Sequence, residues 1–388
     1  MSIPTVSFVV PCYKLAHLLP ECVNSILVQT HADFEILIMD DCSPDNTGEV
    51  TNKFRDPRVK YVRNEQNLGH LRNYNKGIQL SRGKYVWLIS ADDHLRTPYV
   101  LERYVQLMEQ YPQVGYSFCP GVGVLNNRET GVLPFSVLGC GDCILDGRAF
   151  LEKLVSQNII IAASVLARRA CYERVSLFPL DATWAGLPVE MGWVGDWYLW
   201  CMFALSFDVA YFAEPMVCYR QHELNMTAII TDREKVEACA AADIAVPWMV
   251  KLQAEQRGME ELAAKCLIAV AAEYARQAFS KSYRSSEMSL TVDRFEDSLC
   301  HSTDDDKERN WVRARFFEGL ADRFWLRGDA RSALRWYFTA VRKDPTMAKV
   351  YGKLALLPFG SLGYSARRLP KYLYSVASSM GGGRLGPS

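Results

Sequence analysis

Two apolar segments near the amino terminus each run into a pair of aspartates, and that punctuation limits the fold more than any other feature. Phe34-Glu-Ile-Leu-Ile-Met39 closes on Asp40-Asp41-Cys42-Ser43-Pro44, and Tyr85-Val-Trp-Leu-Ile89 on Ser90-Ala-Asp-Asp93. Short runs of β-branched and aromatic residues bounded by turn formers predict buried strands. Thr5–Val10 reads as a first strand stopped by Pro11, and Arg58–Val62 as a further short one. Leu19, Cys22, Val23 and Ile26 recur at helical spacing, and Leu71–Leu80 predicts a second helix. Thr97-Pro98 opens a third, with proline early, where its missing donor does no harm. Strands alternating with helices imply a mainly parallel sheet. Ligands of such sheets bind beyond the carboxyl ends of the strands. Both acidic pairs therefore fall on the ligand rim.

The familiar phosphate-gripping loops are missing. Gly121-Val-Gly-Val-Leu-Asn126 lacks the third glycine and the early strand–helix setting of a dinucleotide fingerprint, and no loop ends in Gly-Lys-Ser/Thr. A nucleotide site here would have to grip diphosphate by another device. With 44 basic and 44 acidic side chains in 388 residues, the balance excludes a nucleic-acid protein held mainly by phosphate contacts. A 49% hydrophobic share supports a core, and the length suits two domains or one domain with an appendage. The twelve cysteines are scattered apart from Cys140-Gly-Asp-Cys143, which suits free thiols better than a zinc site, since no second pair accompanies it. Met1-Ser-Ile-Pro4 runs directly into the first strand, and no long apolar run is present. The expectation is a soluble cytoplasmic protein with reduced thiols.

After about Thr227 the pattern turns helical, with Ala-rich stretches between Ala238 and Ala278. The acidic, polar segment from Asp293 to Glu308 reads as a linker. Phe317, Leu320, Ala321, Phe324, Gly328, Ala333, Tyr337, Ala340 and Pro345 then fall on the signature positions of a tetratricopeptide repeat, which this hairpin resembles, with Gly328-Asp329 as its turn. One copy cannot build a solenoid, so a helical hairpin packing on its neighbours is expected. The domains so read are 1–228, a helical extension 229–300, and the hairpin with a basic tail 301–388. From Arg331 onward ten Lys or Arg face one acid, Asp344, so this end carries +9 and the remainder −9. Leu356-Leu-Pro-Phe359 followed by Arg367, Arg368, Lys371, Tyr372, Leu373 and Tyr374 suits either an anionic membrane surface or a solvated basic end.

Two carboxylates at one strand end repel unless a cation or hydrogen-bond donors compensate them. Mg2+ and Mn2+ prefer oxygen ligands and bridge to substrate phosphates. Asp92-Asp93 thus reads as a metal site or as the cap of the helix at Pro98. Asp40-Asp41, followed by Ser43, Asp45 and Thr47, reads as a ligand site or a turn. A third acid, Asp196, lies in Gly195-Asp196-Trp197 within an aromatic stretch reaching Phe207, and Tyr219-Arg220-Gln-His222 follows. Beside Trp193, Trp197 and Trp200 its carboxyl should be partly desolvated, which raises its pKa and suits general-base work. Capping a helix is its other reading.

Together these segments resemble glycosyltransferase family 2, inverting enzymes of the GT-A fold, in a bacterial surface-polysaccharide form. The similarity covers about residues 4–225. It runs through Val6-Ser-Phe-Val-Val-Pro-Cys-Tyr13, Ser25-Ile-Leu-Val-Gln-Thr30, Phe34-Glu35 and Met39-Asp-Asp-Cys-Ser43. Asn67-Leu-Gly69, Arg72, Asn73, Gly77 and Gly83-Lys-Tyr85 follow in order before Asp92-Asp93 and Gly195-Asp196. The resemblance implies a Rossmann-like GT-A catalytic domain, mainly parallel in its sheet, ahead of the helical region. It implies that Pro11, Tyr13 and Asp41 hold the nucleoside, with Asp41 on the base. Arg72 would neutralise or stack near the nucleotide, Asp92 would reach the ribose or a metal-bound water, and Asp93 would ligate Mn2+ or Mg2+ on the diphosphate. Asp196 would deprotonate the acceptor hydroxyl, and Arg220 and His222 would lie near the diphosphate.

The pattern departs from the family at Lys14, where Asn is usual, and at Ser90, which replaces the first acid of Asp-x-Asp. The processive synthases' Gln-x-x-Arg-Trp is absent too, since Ser332-Ala-Leu-Arg-Trp336 has no Gln. The implied activity is a non-processive transfer of one sugar from a nucleotide-diphosphate sugar, UDP-sugar favoured, to a hydroxyl of a glycan or lipid-linked acceptor. Acceptor choice falls between about Val114 and Val194, where Tyr116, Trp184 and Trp193 either stack on sugar faces or fill the core. A sugar-nucleotide pyrophosphorylase would need a Gly-rich basic loop after the first strand, and Pro11-Cys-Tyr-Lys-Leu15 is not one. An inactive GT-A-like scaffold that binds partners through its C-terminal helices is the other alternative; it would be free to lose acids that this chain retains.

Overall fold

The computed structural model describes residues 3–175, 177–184, 187–222, 225, 233–279, 292–300 and 305–359. It opens with β1 (Val6–Cys12), α1 (Leu19–Leu27), β2 (Phe34–Asp40), α2 (Thr47–Thr51), β3 (Val59–Arg63), α3 (His70–Leu80) and β4 (Tyr85–Leu88). Every residue of β1 and β2 is buried, as strands covered on both faces require. Then come β5 (His94–Leu95), α4 (Val100–Gln110), β6 (Val114–Phe118), β7 (Gly121–Leu125), β8 (Arg128–Val132), β9 (Cys143–Leu145) and α5 (Gly147–Leu154). β10 (Leu166–Arg168), α6 (Arg169–Val175), β11 (Asp181–Trp184), β12 (Leu187–Glu190), α7 (Gly195–Ala204), β13 (Asp208–Tyr211) and β14 (Val217–Gln221) follow.

The main sheet has the order β3-β2-β1-β4-β10-β6-β13-β9. Its first four strands are parallel, β10 runs antiparallel between β4 and β6, and β6 and β13 are again parallel. A smaller sheet, β5-β14-β7-β8, carries the segments that will meet the acidic pair. Helix α3 lies close on the main sheet: a Cβ on Gly77 would come within 2.4 Å of Val9 and 3.0 Å of Met39. Pro11 does not stop β1, which runs through it to Cys12. The Pro11 carbonyl accepts from Ala91 N–H at 3.1 Å, so its missing donor faces the side on which β4 has already ended. Pro98 lies outside its helix, because α4 begins at Val100 with Tyr99 as N-cap.

The chain divides into two compact units. The first runs to Leu180 and resumes over Met191–Ile230; the second holds the hairpin Asp181–Glu190 and the helices beyond. Those helices are α8 (Arg233–Gln256), α9 (Glu260–Ala278), α10 (Val292–Cys300), α11 (Asp306–Leu326), α12 (Ala330–Lys343) and α13 (Ala348–Leu356). The Asp293–Glu308 segment is not simply a linker, since α10 occupies much of it. Phe295 and Leu299, one helical turn apart, are buried, and Phe295 meets Tyr274 at 4.7 Å and Phe316 at 4.3 Å. In the expected hairpin Phe317, Leu320, Ala321, Ala333, Tyr337 and Ala340 are buried, Gly328 takes φ +80°, and Asp329 caps α12 through Ser332 N–H. Among the described residues no helix is long and apolar enough to cross a membrane. The basic residues Arg367, Arg368 and Lys371 of the tail lie outside the described residues.

Candidate active site

The two acidic pairs lie at or beyond the carboxyl ends of β2 and β4, the parallel strands on either side of β1, and each is built differently. Asp40, fully buried at the end of β2, accepts from Ser43 N–H, Tyr61 Oη and Arg63 Nη1 and so fixes the turn behind it. Asp41 is buried too, and its carboxylate accepts from Asn64 Nδ2 at 2.8 Å, Leu68 N–H at 2.8 Å and Gly69 N–H at 3.0 Å. It therefore anchors the loop that leads into α3. Asp45 knits the turn through Ser43, Thr47 and Ala16, and those hydrogen bonds, outweighing burial, lower its pKa. Above this turn Pro11 is buried, while Tyr13 is exposed with Lys14 over its ring. Arg72 is exposed on α3.

Asp92 and Asp93 do not cap α4; they form a turn stitched to the smaller sheet. Asp93 Oδ1 accepts from the Arg220 backbone N–H at 3.0 Å, and the Arg220 Nε donates to the Asp92 carbonyl at 3.1 Å. The Arg220 guanidinium also binds Asn127 Oδ1 at the β7–β8 turn and Glu21 on α1. Arg220 is 4% exposed, so the geometry makes it a buried strut under the acidic pair rather than an open cation for a diphosphate. His222 Nε2 lies 3.0 Å from Asp92 Oδ2. Burial, reinforced by the Asp92 charge, pushes the Asp93 carboxyl well above the usual carboxylate range, although Arg220 opposes the shift.

Asp92 Oδ1 is buried with no hydrogen-bond partner. An orphaned carboxylate oxygen beside a second buried carboxylate fits a hard divalent cation, which would relieve both the lost hydrogen bond and the repulsion. Among the described residues no three His, Cys, Asp or Glu side chains cluster as a complete ligand set. Water and a ligand's phosphates would have to complete the shell, as is usual for Mg2+.

Asp196 stands in the first turn of α7, behind Val194 at the N-cap. Asn158 Nδ2 donates to its Oδ2 at 3.4 Å, and Trp197 N–H to its Oδ1 at 2.7 Å. These bonds favour the charged form, but burial outweighs them and raises the pKa to about 6. The aromatic stretch supplies that burial: Trp197 and Trp200 are both buried, with Trp197 Nε1 donating to the Leu154 carbonyl. The segment before Asp196 lies on α3. His70 Nε2 is 2.8 Å from the Gly192 carbonyl, and a Cβ on Gly195 would touch Leu71 at 3.2 Å and Phe178 at 3.3 Å. Of the aromatics expected to meet an acceptor, Tyr116 is fully buried, its ring 5.9 Å from Trp200, and Trp184 packs 5.7 Å from Tyr274 in the second unit. Both belong to the core; Trp193 keeps partial exposure.

The sequence reading missed Glu21, Asn127 and Asn158, which support the acids from distant segments, and Tyr74. No spacing marks them, because long-range pairing alone brings them in. Tyr74 links the groups: burial raises its hydroxyl pKa, followed by the charges of Asp92, Asp196 and Asp93 in that order, so all three acids share its surroundings.

Residues 7–132 match the model of glycosyl transferase family 2. Glycosyltransferase GlyG of Streptococcus pneumoniae is 36% identical over 107 residues, 27% of this chain and 36% of that protein. The putative teichuronic acid biosynthesis glycosyltransferase TuaG of Bacillus subtilis is 30% identical over 119 residues, 29% of this chain and 47% of its own. The chain thus spans a third to a half of the length of these curated relatives. Among solved structures, S. aureus TarS 1-349 in complex with UDP-GlcNAc superposes with TM-score 0.57 at 16% identity, covering 88% of each chain. That likeness establishes the GT-A fold. The likeness to glycosyl transferase family 2 thus covers residues 7–132, all within the first unit.

Proposed function

We propose that the protein is an inverting, non-processive glycosyltransferase. It moves one sugar from a nucleoside-diphosphate sugar to a hydroxyl of a glycan or lipid-linked acceptor in bacterial surface-polysaccharide assembly. The observation that carries this reading is the pairing of an Asp92-Asp93 turn, with its orphaned Oδ1, and a second carboxylate, Asp196, raised to about 6. Two acids of such different character suit two tasks. Asp196 takes the proton of the acceptor hydroxyl as its oxygen bonds to the anomeric carbon and the bond to the diphosphate breaks on the opposite face. Asp93 and Asp92 would hold Mn2+ or Mg2+, which when bound offsets the charge developing on the leaving diphosphate. Arg220 keeps the acidic turn in place, His222 sets the orientation of Asp92, and Pro11, Tyr13, Asp41 and Arg72 border the nucleoside. Asp41 already accepts three hydrogen bonds, so its contact with a base would use the remaining lone pair of Oδ2.

The UDP-GlcNAc complex of S. aureus TarS makes UDP the first nucleotide to try. Thermal unfolding with UDP-, GDP-, dTDP- and CMP-sugars, each with and without Mn2+, tests the reading. A ligand at about 100 times its Kd adds roughly 2.7 kcal/mol to the unit that binds it. A manganese-dependent rise with one nucleotide is expected; no rise with any of them sinks the reading and favours the scaffold alternative. The +9 carboxyl-terminal region supports peripheral contact with an anionic membrane, which would bring a lipid-linked acceptor within reach. Liposome co-sedimentation unaltered by deleting residues 354–388 removes that part.

A further inference from the structure

Tyr74 has no hydrogen-bond partner among the described residues, yet its ring packs against two aromatic neighbours. His70 meets it edge-on at 5.5 Å and is itself tied to the Gly192 carbonyl at 2.8 Å. Phe178 also meets it edge-on, at 5.6 Å. Phe178 in turn is pinned to α3 by Asn75, whose amide donates to the Phe178 carbonyl and accepts from its N–H, both at 2.9 Å. The ring is thus fixed by the same segments, Phe178 and Gly192, that lie against α3 ahead of Asp196. A tyrosine whose ring is over-determined and whose hydroxyl is unused within the fold is arranged for a ligand.

We propose that Tyr74 contacts the transferred sugar, its Oη donating a hydrogen bond to a sugar hydroxyl between the Asp92-Asp93 turn and Asp196. This rests on the glycosyltransferase reading above, in which the diphosphate lies at the acidic turn and the acceptor oxygen at Asp196. The sugar ring then occupies the space between them. A tyrosine hydroxyl is protonated at neutral pH and can therefore donate to a sugar oxygen. A sugar hydroxyl suits that setting because it can accept from tyrosine and donate to a carboxylate at once. A phosphate, which only accepts, would be repelled by the same three acids unless a cation intervened.

Tyr74→Phe keeps the ring and its clamp and removes only the hydroxyl. Calorimetric titration of wild type and variant with each of UDP, GDP, dTDP and CMP, and with the corresponding sugar nucleotide, all with Mn2+, separates the cases. The variant is expected to bind the bare nucleotide as wild type does and the sugar nucleotide about 5–10-fold more weakly, the loss of one neutral hydrogen bond. Phe178→Leu, which loosens the ring but spares the hydroxyl, is expected to weaken sugar-nucleotide binding with the same selectivity. If Tyr74→Phe binds the sugar nucleotide as tightly as wild type, the sugar contact is wrong while the enzyme reading stands. Equal losses for nucleotide and sugar nucleotide also overturn the contact, since they report a general disturbance. Wild type that binds none of the ligands overturns both.

Discussion

At the scale of single residues, the site depends on how differently five aspartates are treated. Asp40 and Asp41 are satisfied by donors and stabilise turns, whereas Asp92 and Asp93 crowd each other and Asp196 accepts hydrogen bonds from Asn158 and Trp197 that burial outweighs. General-base catalysis contributes about 10²–10⁴-fold. Asp196→Asn should therefore cut turnover by that factor while leaving manganese-dependent nucleotide affinity unchanged, which steady-state kinetics and titration together would reveal. Its pKa of about 6 also fixes a sign for stability. The folded protein holds the Asp196 proton more tightly than the unfolded chain, whose value is near 3.8. Stability conferred by this group is thus lost as pH rises from about 4 through 6. Asp196→Asn should flatten that slope, so its melting temperature relative to wild type should climb across the same window; a constant difference from pH 4 to 7 would contradict it. The acids were legible in the sequence because each follows a strand or opens an aromatic helix. Their supports were not. Arg220 was readable as a cation near the acids, but its burial was not, since Glu21 and Asn127 come from α1 and the β7–β8 turn.

At the scale of elements, periodicity served wherever an element buries a regular face. It placed β1 to β4 and α1, α3 and α4 to within a residue or three. It failed where tertiary contact overrides local composition. Pro11 reads as a stop, yet a neighbouring strand that has already ended removes the need for its donor. The acidic segment after Asp293 reads as a connection, yet two aromatic and aliphatic side chains one turn apart are enough to dock a nine-residue helix when partners wait for them. Phe295 is the test of that account. It is 1% exposed between Tyr274 and Phe316, and truncating a buried phenylalanine costs about 3–5 kcal/mol. Phe295→Ala should lower the melting temperature of the second unit markedly, whereas Asp293→Ala, exposed on the same helix, should scarcely move it. Differential scanning calorimetry of the two variants decides it; equal effects would mean that α10 does not pack through Phe295.

At the scale of the whole molecule, the consequential feature is that sequence order and structural units do not coincide. The hairpin β11–β12 lies within the stretch that builds the first unit but groups with the second. Trp184 and Val189, its buried residues, find cover among the second unit's helices, Trp184 against Tyr274. A boundary placed near residue 228 from the change to helical pattern could not reveal this, because nothing local distinguishes a strand pair that pairs with itself from one that packs on helices still to come. The arrangement predicts the behaviour of fragments. A chain ending at Ile230 keeps the hairpin but removes the helices that bury it, exposing an indole and a valine together, and such a patch promotes association. That fragment should be poorly soluble and should bind a hydrophobic dye such as ANS. Replacing residues 181–190 in the fragment by a short Gly-Ser linker should restore solubility and abolish the dye signal, because the first unit carries its own core around β1, β2 and β4. Soluble yield and dye fluorescence of the two fragments make the comparison. If the fragment with the intact hairpin is already as soluble as the full chain, the hairpin does not owe its burial to the second unit.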